Sequence, residues 1–361
     1  MMIAFSAVFA DVTKQGTKLQ TSEYLASGKY PIIDQGQDDI AGYTDREDGL
    51  FTDVPAIIFG DHTRIVKYVD MPFFLGADGV KVLKATIPDV DYRYLYYAVS
   101  AVKIPNTGYN RHFKWLKEAQ ISLPDLSTQR RIADTLDKVS EGIGLCGRMM
   151  DELDLMVKAK FGEMFGDAHN NSAFPYKNIG DLTTVTSGGT PDRENNLYWD
   201  DGNIRWVKTT ELQNCTICDT EEKITKLGLE NSSAKLVPAG SVLIAMYGQG
   251  KTRGMTAYLE NESATNQACA CVLPSSKINQ KYLWQYLMLS YDALRAMAKG
   301  GNQPNLNISM IKNFPVLYPP MELQNQYVEF VTYINKSVLT IKMILAKMEM
   351  EKLALMQEYF K

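Results

Sequence analysis

"ISLPDLSTQRRIADTLDKV", Ile121–Val139, has a counterpart in "PVLYPPMELQNQYVEFVTYI", Pro315–Ile334. Placing Pro124 on Pro319, an offset of 195 residues, also places Leu126 on Met321 and Gln129 on Gln324. The runs that follow keep this offset. In the first, Ile132, Leu136, Val139, Ile143, Cys146, Met150, Leu153 and Val157 recur at alternating steps of four and three. In the second, Tyr327, Val331, Ile334, Val338, Ile341, Leu345, Met348 and Lys352 do the same. A sustained spacing of about 3.5 residues is the seam of a coiled coil, a narrow apolar stripe that needs a partner helix. Each run has its partner in the other, and only Lys352 interrupts the apolar pattern.

The duplication continues upstream. "VPAIIFGDHTR" (Val54–Arg64) resembles "VPAGSVLIAMYGQGKTR" (Val237–Arg253), "YRYLYYAVS" resembles "KYLWQYLMLS", and "TKQGT" echoes "TSGGT". "EMF" at Glu163–Phe165 meets "EYF" at Glu358–Phe360. The pattern predicts an α+β chain with a pseudo-twofold internal repeat: two similar α/β domains, residues 1–124 and 167–319, each followed by a long helix, 125–166 and 320–361. The link "GDAHNNSAFP" carries the chain from the far end of the first helix into the second domain, so the helices are expected to pair antiparallel. At 1.5 Å per residue Ser127–Phe165 spans roughly 58 Å, which predicts a dumbbell with a helical spacer. Gly142, Gly144, Gly147 and Gly162 lower helix propensity and are candidate bend points.

Composition sets the class. The chain has 361 residues, 45% hydrophobic and 22% charged, with a net charge of -4, as in ordinary globular domains. No apolar run approaches the roughly 20 residues that cross a bilayer. "MMIAFSAVFADV" lacks the basic start of a secretory signal, which with the cysteine usage points to the cytoplasm. Cys146, Cys215, Cys218, Cys269 and Cys271 are odd in number and without framework spacing. "CTIC" and "CAC" together could supply four thiolates to zinc, but "ACACVL" alternates like a core strand, and no metal site is expected.

"SVLIAMYGQGKTRGM", Ser241–Met255, ends in the Gly-Lys-Thr of a phosphate-binding loop. The motif requires a glycine at position 245, where Ala245 stands. "RGMTAYLE" beyond it reads as a strand and not as the helix whose N-terminus would hold phosphate. The first copy, "FGDHTR", keeps Thr-Arg without Gly-Lys. The expectation is therefore a strand, a turn and a strand, presenting Lys251 and Arg253 in one copy and His62 and Arg64 in the other.

Exposed loop cations bind phosphates or guanine edges, and Asn and Gln pair with adenine. On that chemistry the candidate DNA contacts are His62, Arg64, Asn106, Tyr109, Asn110, Arg111 and Lys114 in the first copy. In the second they are Thr190, Arg193, Lys208, Lys251, Arg253, Asn302, Gln303 and Asn305. His112, Lys117, Trp115 and Lys299 lie among them, while Tyr198, Trp199 and Trp206 read as core. The candidate spacer and subunit-interface residues are Ile132, Leu136, Val139, Ile143, Met150, Leu153, Val331, Ile334, Val338, Ile341, Leu345 and Met348.

With "SLPDLSTQRRI", "YPPMELQNQYV", "FGEMFGD" and "SGGTP" in a two-copy layout, the whole chain resembles the specificity subunit of a type I restriction-modification enzyme. It departs from the family pattern at Thr128 and Leu323, where an acidic residue is usual. The resemblance implies a non-catalytic subunit in which each domain reads half of a split double-stranded DNA target and the helices set the unread spacer. It further implies two methyltransferase subunits carrying S-adenosylmethionine, which methylate adenine, and two restriction subunits using ATP and Mg to translocate and cut. The residues agree in lacking an Asn/Asp-Pro-Pro-Tyr/Phe loop for adenine methylation: "LYPPM" has the prolines without their flanking groups. The alternatives are a recognition subunit of another DNA-modification system, a protein-binding scaffold, and a P-loop NTPase.

Overall fold

The structure, a computed structural model, describes residues 2–76, 78–108, 110–171, 173–248, 250–298 and 305–361. The chain forms two compact units, Met1–Arg148 with Ile341–Lys361, and Met149–Thr340. Each of the two long helices gives one part of its length to each unit.

In the first unit, strands β1 (Phe9–Asp11), β2 (Tyr30–Ile33), β3 (Ala56–Gly60), β4 (Val66–Val69) and β5 (Val80–Ala85) precede helix α1 (Tyr92–Ser100). The main sheet is antiparallel in the order β1-β5-β3-β4. "AIIFG" takes the central β3 position, where every residue is buried; a continuous apolar run suits a strand covered on both faces. A smaller mixed sheet pairs β2 antiparallel with Gly42–Thr44 and parallel with Phe74–Leu75. Helix α2 (Leu126–Phe165) follows.

The second unit repeats this plan. Strands β6 (Val185–Ser187), β7 (Ile204–Val207), β8 (Cys215–Ile217), β9 (Val242–Ala245), β10 (Thr256–Leu259) and β11 (Cys269–Val272) lead to helix α3 (Gln280–Leu289). The main sheet runs β6-β11-β9-β10-β8. Here β9 takes the place of β3, and β8 adds a parallel edge on β10. In the small sheet β7 again has an antiparallel neighbour, Glu222–Ile224, and a parallel one, Ser263–Thr265. Helix α4 (Met321–Tyr359) follows.

The shared "P-x-L/M-x-x-Q" has a structural reason. Gln129 and Gln324 are buried, at 2% and 0% exposure. Gln129 accepts from the Asp91 backbone N–H through Oε1 (3.1 Å) and donates from Nε2 to the Pro124 carbonyl (2.8 Å). Gln324 accepts from the Asn279 N–H (2.9 Å) and donates to the Pro319 carbonyl (2.8 Å). Asp91 and Asn279 are the N-caps of α1 and α3. Each glutamine thus ties the N-terminus of a domain helix to the start of a long helix, satisfying groups that would otherwise be orphaned in the core. Asp125 supplies the matching start signal for α2. Hydrogen bonds from the Ser127 hydroxyl and from the Thr128 N–H and hydroxyl pull its carboxyl down to about 2.

The seam is used as its spacing predicts. Ile132, Leu136, Val139, Val331, Ile334 and Ile341 are buried, and Ile143, Met150, Leu153, Val338, Leu345 and Met348 half-buried. In the first unit Arg131 meets the Tyr359 ring, whereas Gly142 meets Met348, so advancing along α2 retreats along α4: the pairing is antiparallel. A Cβ on Gly142 would collide with the Met348 terminal methyl, which explains one of the four helix glycines as room for a neighbour. Helix α2 runs unbroken through all of them. In the second unit Phe161 packs 5.6 Å from Tyr327 and Lys160 lies 5.9 Å from the Phe330 ring centre. Lys352, the break in the seam, is half-buried with its ammonium 5.9 Å from the Tyr97 ring; burial pushes it below the usual lysine range, against the opposing pull of Asp137.

Among the described residues no helix is long and apolar enough to cross a membrane, and no three His, Cys, Asp or Glu gather as a metal site. Cys269 and Cys271 share one face of β11, a strand buried on both faces. Burial pushes the Cys271 thiol up to about 11, and Cys269 rises in the same direction.

Candidate nucleic-acid interface

Four loops converge at one end of the first unit's main sheet. The β3–β4 turn is closed by the Gly60 N–H donating to Ile65 and the Arg64 N–H donating to Gly60, with Arg64 in the left-handed region at φ 63°. Gln35, from the loop after β2, accepts from the His62 N–H (3.1 Å) and donates to the Asp78 carbonyl (2.8 Å), and its own carbonyl accepts from Thr63 (2.7 Å). The buried Asp61 holds the segment before α2. Its carboxylate accepts from the Phe113 N–H (2.7 Å), and its carbonyl accepts from the His112 N–H (2.7 Å) and lies 3.0 Å from His112 Nδ1. Sequence reasoning passed over Gln35 and Asp61 because neither carries the positive charge that marks a DNA contact. Their work is to hold the loops that do.

This buttressing sorts the candidates. Arg111 and Lys114 are exposed and make no ion pair among the described residues; the Lys114 ammonium sits 4.9 Å from the Trp115 ring. Asn106 is exposed, its side chain accepting from the Gly108 N–H (3.2 Å), and Asn110 donates to the Thr107 carbonyl. Arg64 is half-buried and reaches back to the Ile104 carbonyl (3.4 Å), unlike the outward tip expected from its place in the turn. His62 is half-buried as well, and His112 is fully enclosed and serves the loop anchor. Tyr109 lies outside the described residues.

In the second unit the Gly-Lys-Thr stretch is the turn between two antiparallel strands, β9 and β10, with Ile244 opposite Thr256. No helix follows Thr252, so the N-terminal dipole and amide cradle of a phosphate-binding loop are missing there. Gly254 takes φ 86° beside Arg295 and Tyr291. Tyr291 donates to the Lys251 carbonyl (2.7 Å) and Arg295 to the Arg253 carbonyl (2.8 Å). Lys251 is exposed and Arg253 half-buried. The Leu306 N–H donates to Met246 (3.0 Å), which brings Asn305 to the base of the same turn. Asn302 and Gln303, with Lys299, lie outside the described residues.

Arg193 and Lys208 form a separate cluster. The Arg193 guanidinium lies 3.8 Å from the Trp199 ring centre and 4.7 Å from that of Trp206, and pairs with Glu222 at 2.5 Å. Lys208 pairs with Glu221 (2.7 Å) and Glu222 (3.0 Å), which raise its pKa. Burial works to raise the Glu222 carboxyl, but hydrogen bonds from Arg193 and Lys208 outweigh it and hold the group below the usual range. These two cations are already matched by carboxylates, a pairing hidden in the sequence because Glu222 stands 29 residues from Arg193 and 14 from Lys208. Thr190 donates to Gln267. Trp206 is core, as expected, its indole N–H donating to the Gly189 carbonyl (3.0 Å).

The model of the type I restriction modification DNA specificity domain matches residues 9–153 and again 171–350, one match for each copy of the repeat. The chain belongs to this family. Among curated relatives, the specificity subunit of the type I restriction enzyme EcoR124I/EcoR124II of Escherichia coli is 25% identical over 342 residues, 88% of this chain and 83% of the relative. The HindI specificity subunit of Haemophilus influenzae is 26% identical over 153 residues, 41% of this chain and 32% of its own. The fold of this specificity protein matches the crystal structure of the type I restriction-modification S subunit from M. genitalium with a TM-score of 0.64 at 16% identity, covering 100% of this chain and 96% of that one. A chain from a study of complex assembly and conformational transition of the type I restriction-modification system matches with a TM-score of 0.58 at 16% identity, covering 100% and 97%.

Proposed function

We propose that the chain reads a split double-stranded DNA target, one half with each unit, and directs adenine methylation or ATP-dependent restriction by partner subunits. The observation that carries this is the duplicated family match lying over two copies of one loop-bearing sheet, in which β3–β4 and β9–β10 hold equivalent turns. Residues 1–124 and 167–319 then act as the recognition domains, and 125–166 and 320–361 as the spacer helices. Arg111 and Lys251, on buttressed loops, and Lys114, on the short helix Phe113–Lys117, make no ion pair among the described residues and are the leading phosphate or base contacts.

The chain itself is non-catalytic in this proposal. Two methyltransferase subunits bring S-adenosylmethionine, two restriction subunits bring ATP and Mg, and the assembly works in the cytoplasm. The seam residues are consumed by pairing within the chain. The exposed apolar residues on the long helices, among them Met149, Met156, Leu339 and Met343, are left to receive partner subunits. The acidic net charge fits a division of labour in which partners clamp phosphate and this chain reads bases.

Single-molecule sequencing of adenine methylation tests the proposal, in cells expressing this chain with its methyltransferase partner and in cells lacking the chain. A bipartite motif methylated on both strands, and lost with this chain, is the expected result. An unchanged methylome with an active partner refutes it.

A further inference from the structure

The two copies differ at one place beside the long helices. Aligning the clamped N-caps Asp91 and Asn279 puts Arg93 on Lys281, Tyr96 on Trp284 and Tyr97 on Gln285. The offset of the long helices puts Asp137 on Thr332, Ser140 on Asn335 and Glu141 on Lys336.

In the first unit these positions close on themselves. Arg93 pairs with Asp134 and Asp137 at 2.9 Å and with Asp91 at 3.0 Å. The Tyr97 hydroxyl donates to Asp137 (2.7 Å) and lies 3.2 Å from the Ser140 hydroxyl. In the second unit the exchanges remove a phenol and a carboxylate and turn a glutamate into a lysine. What remains is a cavity of about 260 Å³ lined by Lys281, Trp284, Gln285, Thr332, Asn335 and Lys336, with Glu260 its one acidic group. Gln285 is 7% exposed as a residue, and its side-chain amide, which makes no hydrogen bond among the described residues, is not fully enclosed. Neither lysine makes an ion pair among the described residues; Lys281 rests 5.4 Å from the Tyr258 ring.

We propose that this cavity is a receptor for an acidic side chain of a partner polypeptide, supplying in trans what Asp137 supplies within the first unit. Three observations choose the occupant. The Gln285 amide makes no side-chain hydrogen bond among the described residues and can donate from its NH2 to a carboxylate. The two unpaired ammonium groups complement a carboxylate. The volume suits one large side chain rather than a cofactor. The inference does not depend on which DNA is read.

The test uses the full chain and 3-(4-hydroxyphenyl)propionate, which carries the phenol and the carboxylate that the second unit lacks, beside its uncharged amide. Binding is followed at the Trp284 indole signal by NMR. The acid should bind about tenfold or more tightly than the amide, the scale of a charge-assisted hydrogen bond. Lys281→Gln with Lys336→Gln should abolish that preference. Gln285→Tyr with Thr332→Asp should fill the cavity and abolish binding. The lysine pair lies on the surface and tests the idea even where the filling variant fails to fold.

To identify the source, p-benzoylphenylalanine is placed at position 335 in the assembled complex and photo-crosslinked. The expected product is a partner-subunit peptide containing Asp or Glu whose neutralisation removes the crosslink. Equal affinity for acid and amide, binding indifferent to the lysines, or crosslinks confined to DNA, to a second copy of this chain or to peptides without an acid would each overturn the proposal.

Discussion

Replacing Gln324 with alanine should uncouple a domain from its long helix. The side chain is fully buried and makes two backbone hydrogen bonds of 2.9 and 2.8 Å, to the Asn279 N–H and the Pro319 carbonyl. Each such bond contributes about 1 kcal/mol net, and a buried backbone group left unpaired costs about 1–3 kcal/mol. The loss should therefore fall at about 2–5 kcal/mol, with a small addition for the vacated volume. Because the chain holds two units, a single global transition is the wrong readout. Hydrogen exchange resolved by peptide should show lost protection at the start of α3 and the start of α4, while the strands of the first unit keep theirs. Gln324→Glu retains the acceptor toward Asn279 but sets a carboxylate oxygen against the Pro319 carbonyl, so it should be no milder than alanine. Gln129→Ala should reproduce the effect at α1 and α2, given its matching bonds of 3.1 and 2.8 Å. A loss below about 0.5 kcal/mol, the range of an ordinary surface change, would refute the clamp.

Gly147→Ala should stabilise helix α2 by about 1 kcal/mol, since open space surrounds that position and alanine propagates a helix better than glycine; faster hydrogen exchange in the α2 peptides around it would contradict this. The Glu222 carboxyl is held below its usual value, so its contribution is fully present above the unfolded glutamate pKa of about 4.3 and is lost as pH falls through the depressed value. An acid-side change in tryptophan fluorescence at Trp199 and Trp206 should accordingly be absent in Glu222→Gln, and its persistence would assign the transition elsewhere. In the assembled complex, Arg111→Ala and Lys251→Ala should each weaken DNA binding across sequences and reduce the salt slope by about one. Arg193→Ala, already neutralised by Glu222, should change the slope less, and equal effects at all three would show that the pairing opens on DNA.

What the sequence by itself determined is whatever depends on periodicity and local offsets. The 195-residue repeat, the four-three seam and the apolar strands "AIIFG" and "VLIA" are legible because side-chain spacing sets which face of an element is apolar. The antiparallel pairing of α2 with α4 follows from the order of the segments. The family match extends that reading across both copies. Partnership was decided only by tertiary structure, because partners sit at unrelated distances along the chain. Gln324 stands out in sequence, but Asn279, the group it holds, belongs to another helix. Arg193 and Lys208 read as free cations until folding brings Glu221 and Glu222 against them. Arg64 reads as a tip until it reaches the Ile104 carbonyl, and His112 as a basic loop residue until Asp61 encloses it. Charge is a property of one residue, whereas its availability to DNA depends on every neighbour the fold supplies.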